Sequence, residues 1–228
     1  MLSDAEFFHR RHLPHLYLPN AVYFITFRLA RSLPNHAIEG LQEKSRLRRR
    51  EPFGYVDYDK ALDKCKANVK WLLDDRIAPL IAEAIKHRDG GDYDLAACCI
   101  MPNHVHLVIG VGNHDLFEPV RQIDNLSDMP LSKNLKHDVL GTVRQVGNLS
   151  NKSVSEIMHS LKRYTAREAN KVLKRSGAFW QDESYDHVIR NEAELERIVR
   201  YVAYNPVKAK LIQNWRDWKW TYTVFDID

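Results

Sequence analysis

Two histidines stand two residues apart in the run Met101-Pro102-Asn103-His104-Val105-His106-Leu107-Val108-Ile109. In a β-strand the side chains at i and i+2 leave the same face. The spacing therefore predicts that His104 and His106 project together, while Val105 and Leu107 point the other way. Two imidazoles on one face of a rigid strand can hold a divalent metal. The same pattern also occurs in strands whose histidines are only half-buried and hydrogen-bonded, so the pair alone does not define a site. A second candidate is Tyr164, in Ser160-Leu161-Lys162-Arg163-Tyr164-Thr165. A phenol with a pKa near 10 is a poor nucleophile at neutral pH unless cations or a metal favour its phenolate. Lys162, Arg163 and Arg167 supply positive charge nearby.

Helical spacing puts Ile157, Leu161, Tyr164, Glu168 and Val172 on one face. A carboxylate directed at a sheet is costly unless it is paired or binds a metal. Glu168 is thus a candidate third ligand beside His104 and His106, or a surface partner of Lys171 or Arg175. Tyr164 reads equally well as a core aromatic of its helix. Further along, Tyr185, His187 and Arg190 lie in a segment dense in groups that bond bases or phosphates. Two basic blocks, one holding Lys44, Arg46, Arg48, Arg49 and Arg50 and one surrounding Tyr164, suit an anionic partner. Either block alone reads better as a solvated face.

The elements that must position these groups follow from pattern. Ala21 to Leu29 reads as a strand, ended by Ser32, Pro34 and Asn35. Asp57 or Asp59 can cap a helix with Leu62, Cys65, Val69 and Leu72 on its apolar side, which Pro79 kinks or splits. Tyr93–Met101 and His104–Gly110 read as strands joined at Pro102-Asn103 into a hairpin. Ser153 to Glu156 is a capping box that opens the helix of Tyr164, and Asn191 with Glu194 opens another. Tyr185 to Arg190 is a short strand. The order predicts an α+β fold with helices on one face of the sheet. One domain over 1–228 is expected, with an insertion at 111–151 and a helical extension at 191–228. Three cysteines without metal-ligand spacing, no membrane-length apolar run and a net charge of +4 point to a soluble protein of a reducing cytoplasm.

Taken in order, these motifs resemble the REP-associated tyrosine transposases, single-tyrosine relatives of the small insertion-sequence transposases among the HUH nucleases. The resemblance rests on His9-Arg10-Arg11-His12-Leu13-Pro14-His15, Tyr23-Phe24-Ile25-Thr26-Phe27-Arg28-Leu29, Met101 to His106 and Ser160 to Thr165. It continues through Phe179-Trp180-Gln181, Tyr185 to Arg190 and Tyr204-Asn205-Pro206-Val207-Lys208-Ala209. It implies a ferredoxin-like antiparallel core, His104 and His106 as ligands of Mg²⁺ or Mn²⁺, and Tyr164 as the nucleophile. Insertion-sequence relatives often use a glutamine four residues after the tyrosine as third ligand, and that place is Glu168 here. The implied activity is cleavage and rejoining of single-stranded DNA through a 5′-phosphotyrosine, on hairpins of repetitive palindromic DNA. Arg48, Arg49, Lys162, Arg163, Arg167, Tyr185, His187 and Arg190 would contact that DNA. A monomer or homodimer associated with the nucleoid is expected. The alternative is a domesticated hairpin-binding protein that no longer cuts.

Overall fold

The computed structural model describes residues 7–10, 14–18, 20–33, 40, 55–64, 69–112 and 152–227. Two short strands, β1 (Phe7–Arg10) and β2 (Pro14–Tyr17), form a separate antiparallel pair. The main sheet contains β3 (Ala21–Arg28), β4 (Asp94–Ile100), β5 (His104–Val111), β6 (Tyr185–Ile189) and β7 (Thr221–Thr223). Its order is β6-β3-β5-β4-β7, and every neighbouring pair is antiparallel. Helices α1 (Tyr55–Lys64) and α2 (Ile77–Arg88) join β3 to β4, and α3 (Val154–Val172) joins β5 to β6. Strands β3, β4, β5 and β6 with the crossovers α2 and α3 make the split βαββαβ arrangement of a ferredoxin-like fold. The expected α+β antiparallel core is present.

Strand β5 lies between β3 and β4, so both of its backbone edges are paired and all eight of its residues are buried. Its two faces meet different partners. Val105, Leu107 and Ile109 join Ile25 and Phe27 of β3 beneath α2 and α3, with Ile81 and Ile85 from the former and Ile157 and Leu161 from the latter. Trp180 closes that layer, and its indole N–H donates to Thr165 Oγ1 at 2.9 Å. The other face is covered too. Helix α4 (Glu192–Ala203) packs Ile198, Val199 and Val202 on Phe24 and Val108, and α1 adds Tyr58 and Leu62. A sheet whose two faces are both apolar must be covered twice. The ferredoxin-like crossovers supply one layer and the flanking helices α1 and α4 the other.

Local rules explain most boundaries. The Ser153 and Glu156 side chains and backbones satisfy one another in the expected capping box. Asn191 caps α4 by accepting from Glu194 N, but the Glu194 carboxylate turns to Arg190 N and His187. Pro79 neither kinks nor splits α2. It falls in the first turn of a helix that begins at Ile77, where a missing N–H costs nothing. Asp57 and Asp59 lie inside α1 rather than before it. The segment after α4 is not wholly helical. A short helix α5 (Asn205–Lys208) follows, and the tail returns as β7 on the free edge of β4. Cys65, the basic block around Arg48 and Arg49, and residues 113–151 lie outside the described residues.

Leu107 sits at the centre of the sheet and is fully buried. Leu107→Ala removes its packing beneath both crossover helices and leaves a cavity. Urea melts should show a loss of about 2–5 kcal/mol.

Candidate functional site

Register brings His104 and His106 to one face, as their spacing requires. The face is the one beneath α4 and α1, since His106 stacks on Phe24 at 5.6 Å and meets the Tyr201 ring edge at 6.1 Å. The two Nε2 atoms stand 3.1 Å apart. Each ring is anchored through its other nitrogen. His104 Nδ1 lies 2.6 Å from Asn103 Oδ1, an acceptor only, so Nδ1 carries the proton and Nε2 offers its lone pair. His106 Nδ1 is 2.9 Å from Thr26 Oγ1, which stands opposite it on β3. Anchoring of this kind orients imidazoles for metal binding.

Three further side chains close on the pair. Asp59 Oδ2, from α1, lies 3.3 Å from His106 Nε2. Asn205 Nδ2, at the start of α5, lies 3.0 Å from the same nitrogen and 3.3 Å from Asp59 Oδ2. The Tyr201 hydroxyl, on α4, donates to Asp59 Oδ2. His104, His106 and Asp59 present ligand atoms within 4.8 Å of one another, all from buried residues. Burial pushes His104 down to about 3, and it drives His106 well below the usual imidazole range with help from His104 and Lys208. Both rings are therefore neutral at neutral pH, and the His106–Asp59 contact is not an ion pair. Neutral imidazoles beside a carboxylate, with Asn205 Oδ1 buried and lacking a hydrogen bond among the described residues, form a donor set that fits a divalent cation. A six-coordinate ion with bonds near 2.1 Å sets adjacent donors roughly 3 Å apart.

The other expected residues fall elsewhere. The buried stripe of α3 runs through Ile157, Met158, Leu161, Thr165 and Ala169 rather than through Tyr164 and Glu168. That stripe faces Val105, Leu107 and Ile109, so the sheet separates α3 from the histidines. Tyr164 is 42% exposed, with the guanidinium of Arg88 5.5 Å and that of Arg167 5.7 Å from its ring centre. Glu168 does not join the histidines. Its carboxylate is held at the surface by Arg167 and Lys171, which lower its pKa. Among the described residues, the carboxylate that does stand beside the histidines is Asp59. Lys162 turns inward to the carbonyls of Gln181 and Asp182. Tyr185 is buried and stacks on Tyr58 at 5.8 Å, and His187 meets Glu194 at 3.0 Å. Arg163, Arg167 and Arg190 remain exposed.

Asp59, Tyr201 and Asn205 escape the linear reading. Tyr201 and Asn205 are four residues apart, and Tyr58, Asp59 and Leu62 follow helical spacing. The signal was a polar residue within each apolar stripe. In unfolded chain both imidazoles take up protons near 6.5, whereas His104 resists protonation down to about 3. The unfolded state thus binds more protons between those values, and stability rises with pH across that window. Metal-free protein should lose up to about 1.4 kcal/mol per pH unit from His104 as pH falls below 6.5. Urea melts at several pH values should show this slope, reduced in His104→Asn.

No protein-family model matches the chain. A curated protein of Haemophilus influenzae, described as "Putative REP-associated tyrosine transposase", is 21% identical over 134 residues. The match takes in 57% of this chain and 58% of that relative's length. Among solved structures, a REP-associated tyrosine transposase bound to a REP hairpin superposes with a TM-score of 0.48 at 16% identity. That superposition covers 96% of this chain and 91% of the other. The resemblance carried by the motifs is thus met by a sequence relative described in the same terms.

Proposed function

We propose that this protein is a metal-dependent single-stranded DNA nickase and strand transferase, acting on hairpin DNA, with Tyr201 rather than Tyr164 as its nucleophile. One observation carries the reading: a tyrosine hydroxyl donates to a carboxylate of the same buried group that two imidazoles complete. Among the described residues Tyr164 has no comparable neighbour, because the sheet lies between its helix and the histidines. Counted from Tyr201, the residue four places on is Asn205, an amide like the glutamine of the insertion-sequence relatives. The name of the Haemophilus relative supports the same class of chemistry and substrate.

His104, His106 and Asp59 would hold the ion, and Asn205, with its amide turned so that Oδ1 replaces Nδ2 toward them, would add an oxygen donor. A bound Mg²⁺ or Mn²⁺ would polarise the scissile phosphodiester and offset the charge developing on it. The protein supplies the remaining parts. Tyr201 oxygen attacks phosphorus and passes its proton to Asp59, which already accepts its hydrogen bond. The bond from phosphorus to the 3′-oxygen breaks, and that oxygen takes a proton from water, leaving a free 3′-hydroxyl and a 5′-phosphotyrosine. Attack by another 3′-hydroxyl reverses the step and rejoins strands without ATP, because the ester conserves the bond. Thr26 and Asn103 keep the imidazole lone pairs directed inward throughout.

A second reading, a hairpin-binding protein that does not cut, draws on the closure of the site. Tyr201 is only 8% exposed and both histidines are fully buried. Covalent trapping separates the two. Purified protein is mixed with labelled single-stranded hairpins from the flanks of its own gene, in Mn²⁺, Mg²⁺ or EDTA. A metal-dependent adduct carrying the 3′ label is expected, absent in Tyr201→Phe and His104→Ala and kept in Tyr164→Phe. Loss in Tyr164→Phe with retention in Tyr201→Phe would return the nucleophile to α3. Hairpin binding without adduct under any ion would establish the non-cutting reading. Independently, Mn²⁺ should raise the melting temperature of the wild type and leave that of His104→Ala unmoved.

A further inference from the structure

Arg28 ends β3, and its Cα stands opposite that of His104 in the β3–β5 register. Residues directly opposed across an antiparallel pair share a face. The guanidinium therefore lies at the same sheet end, and on the same face, as the candidate ligands. It is 2% exposed. A buried charge is expensive unless a counter-charge and hydrogen bonds compensate it. Among the described residues, none of the groups it bonds is a carboxylate. Its Nε donates to the Tyr58 hydroxyl at 3.0 Å, and Nη1 approaches Ser32 Oγ and the Leu33 carbonyl, each at 3.4 Å. All three acceptors are neutral, and two of the contacts are long.

A second cation lies within electrostatic reach. Lys162 reaches under the sheet end to the carbonyls of Gln181 and Asp182, at 2.6 and 2.7 Å. Gln181 N in turn donates to the Arg28 carbonyl, which ties that loop to the end of β3. Burial pulls Lys162 down to about 8, with Arg28 adding to the fall and Asp182 and Glu183 opposing it. Two cations thus converge at this end of β3, and neither forms an ion pair among the described residues. Such a pair of charges suits an anion brought from outside. The Tyr58 hydroxyl lies against Arg28 on α1, one residue before Asp59, so a single helix covers both the guanidinium and the ligand group.

Resting on the strand-transfer reading above, we propose that Arg28 binds a backbone phosphate of the single strand beside the scissile one, and that the Tyr58 hydroxyl holds its place until that phosphate displaces it. A guanidinium suits this role because it binds phosphate oxygens through fixed, charge-assisted hydrogen bonds. Arg28 is then a DNA-binding residue of the site. The β3–β5 register with His104 would set the distance between the phosphate it holds and the one being cut.

The test is fluorescence anisotropy with the labelled gene-flank hairpin in EDTA, where no strand is cut, at several salt concentrations. Arg28→Met should weaken binding about tenfold or more, and it should lower the salt slope by about 0.7, the value for one phosphate on a single strand. Arg28→Lys should keep the slope. Tyr58→Phe, which retains the stack on Tyr185, should tighten binding by removing the competing hydroxyl. Unchanged affinity and slope in Arg28→Met would overturn this inference while leaving the transferase reading in place. Should Arg28→Met fail to fold, weaker binding in Tyr58→Phe would overturn it instead. An Arg28 effect on binding by a wild type that never forms an adduct would uphold the phosphate site and remove the transferase reading.

Discussion

Pairing of β5 on both edges is the constraint from which the rest follows. A strand hydrogen-bonded to β3 and β4 cannot slip by one residue without turning every side chain to the opposite face. Its apolar residues then meet α2 and α3, and His104 and His106 are forced into the layer beneath α4 and α1. Burying two imidazoles there disfavours their charged forms. The surrounding polar groups, Asn103, Thr26, Asp59 and Asn205, are what make that burial tolerable.

The division between the two faces also assigns separate tasks to the helices. The crossovers α2 and α3 stabilise the sheet with aliphatic side chains. Helices α1, α4 and α5 each bring polar groups to the other face: Asp59, Tyr201 and Asn205. Helix α1 lies far along the chain from the adjacent α4 and α5, so the site forms only when the layer is complete. Stability and site geometry are coupled through that layer.

Closure of the group has a physical consequence for any substrate. Tyr201, Asp59 and the histidines are buried, and α1 lies over them with Tyr58 against Arg28. A strand that reaches the Tyr201 hydroxyl must replace contacts made by α1. The hydrogen bond between Arg28 and α1 is to the neutral Tyr58 hydroxyl, and a phosphate is the stronger acceptor of guanidinium protons.

Local physics made much of this legible in one dimension. The i, i+2 spacing of His104 and His106, the Pro102-Asn103 turn and the Ser153–Glu156 box each depend on neighbours within a few residues, and each has its expected form. The phase of α3 is not fixed by its own sequence, because Tyr164 and Glu168 fit an apolar stripe nearly as well as Thr165 and Ala169 do. A shift of one position on a helix moves a side chain by 100°, and only the packing of Trp180 and the β5 aliphatics selects between the two stripes. Which face α3 would cover was not in its sequence at all. The sequence determined the two imidazoles, their common face and the class of sheet that carries them. The tertiary structure alone decided that Asp59, Tyr201 and Asn205 are their companions, because residues separated by up to 146 positions meet only when both faces of the sheet are covered.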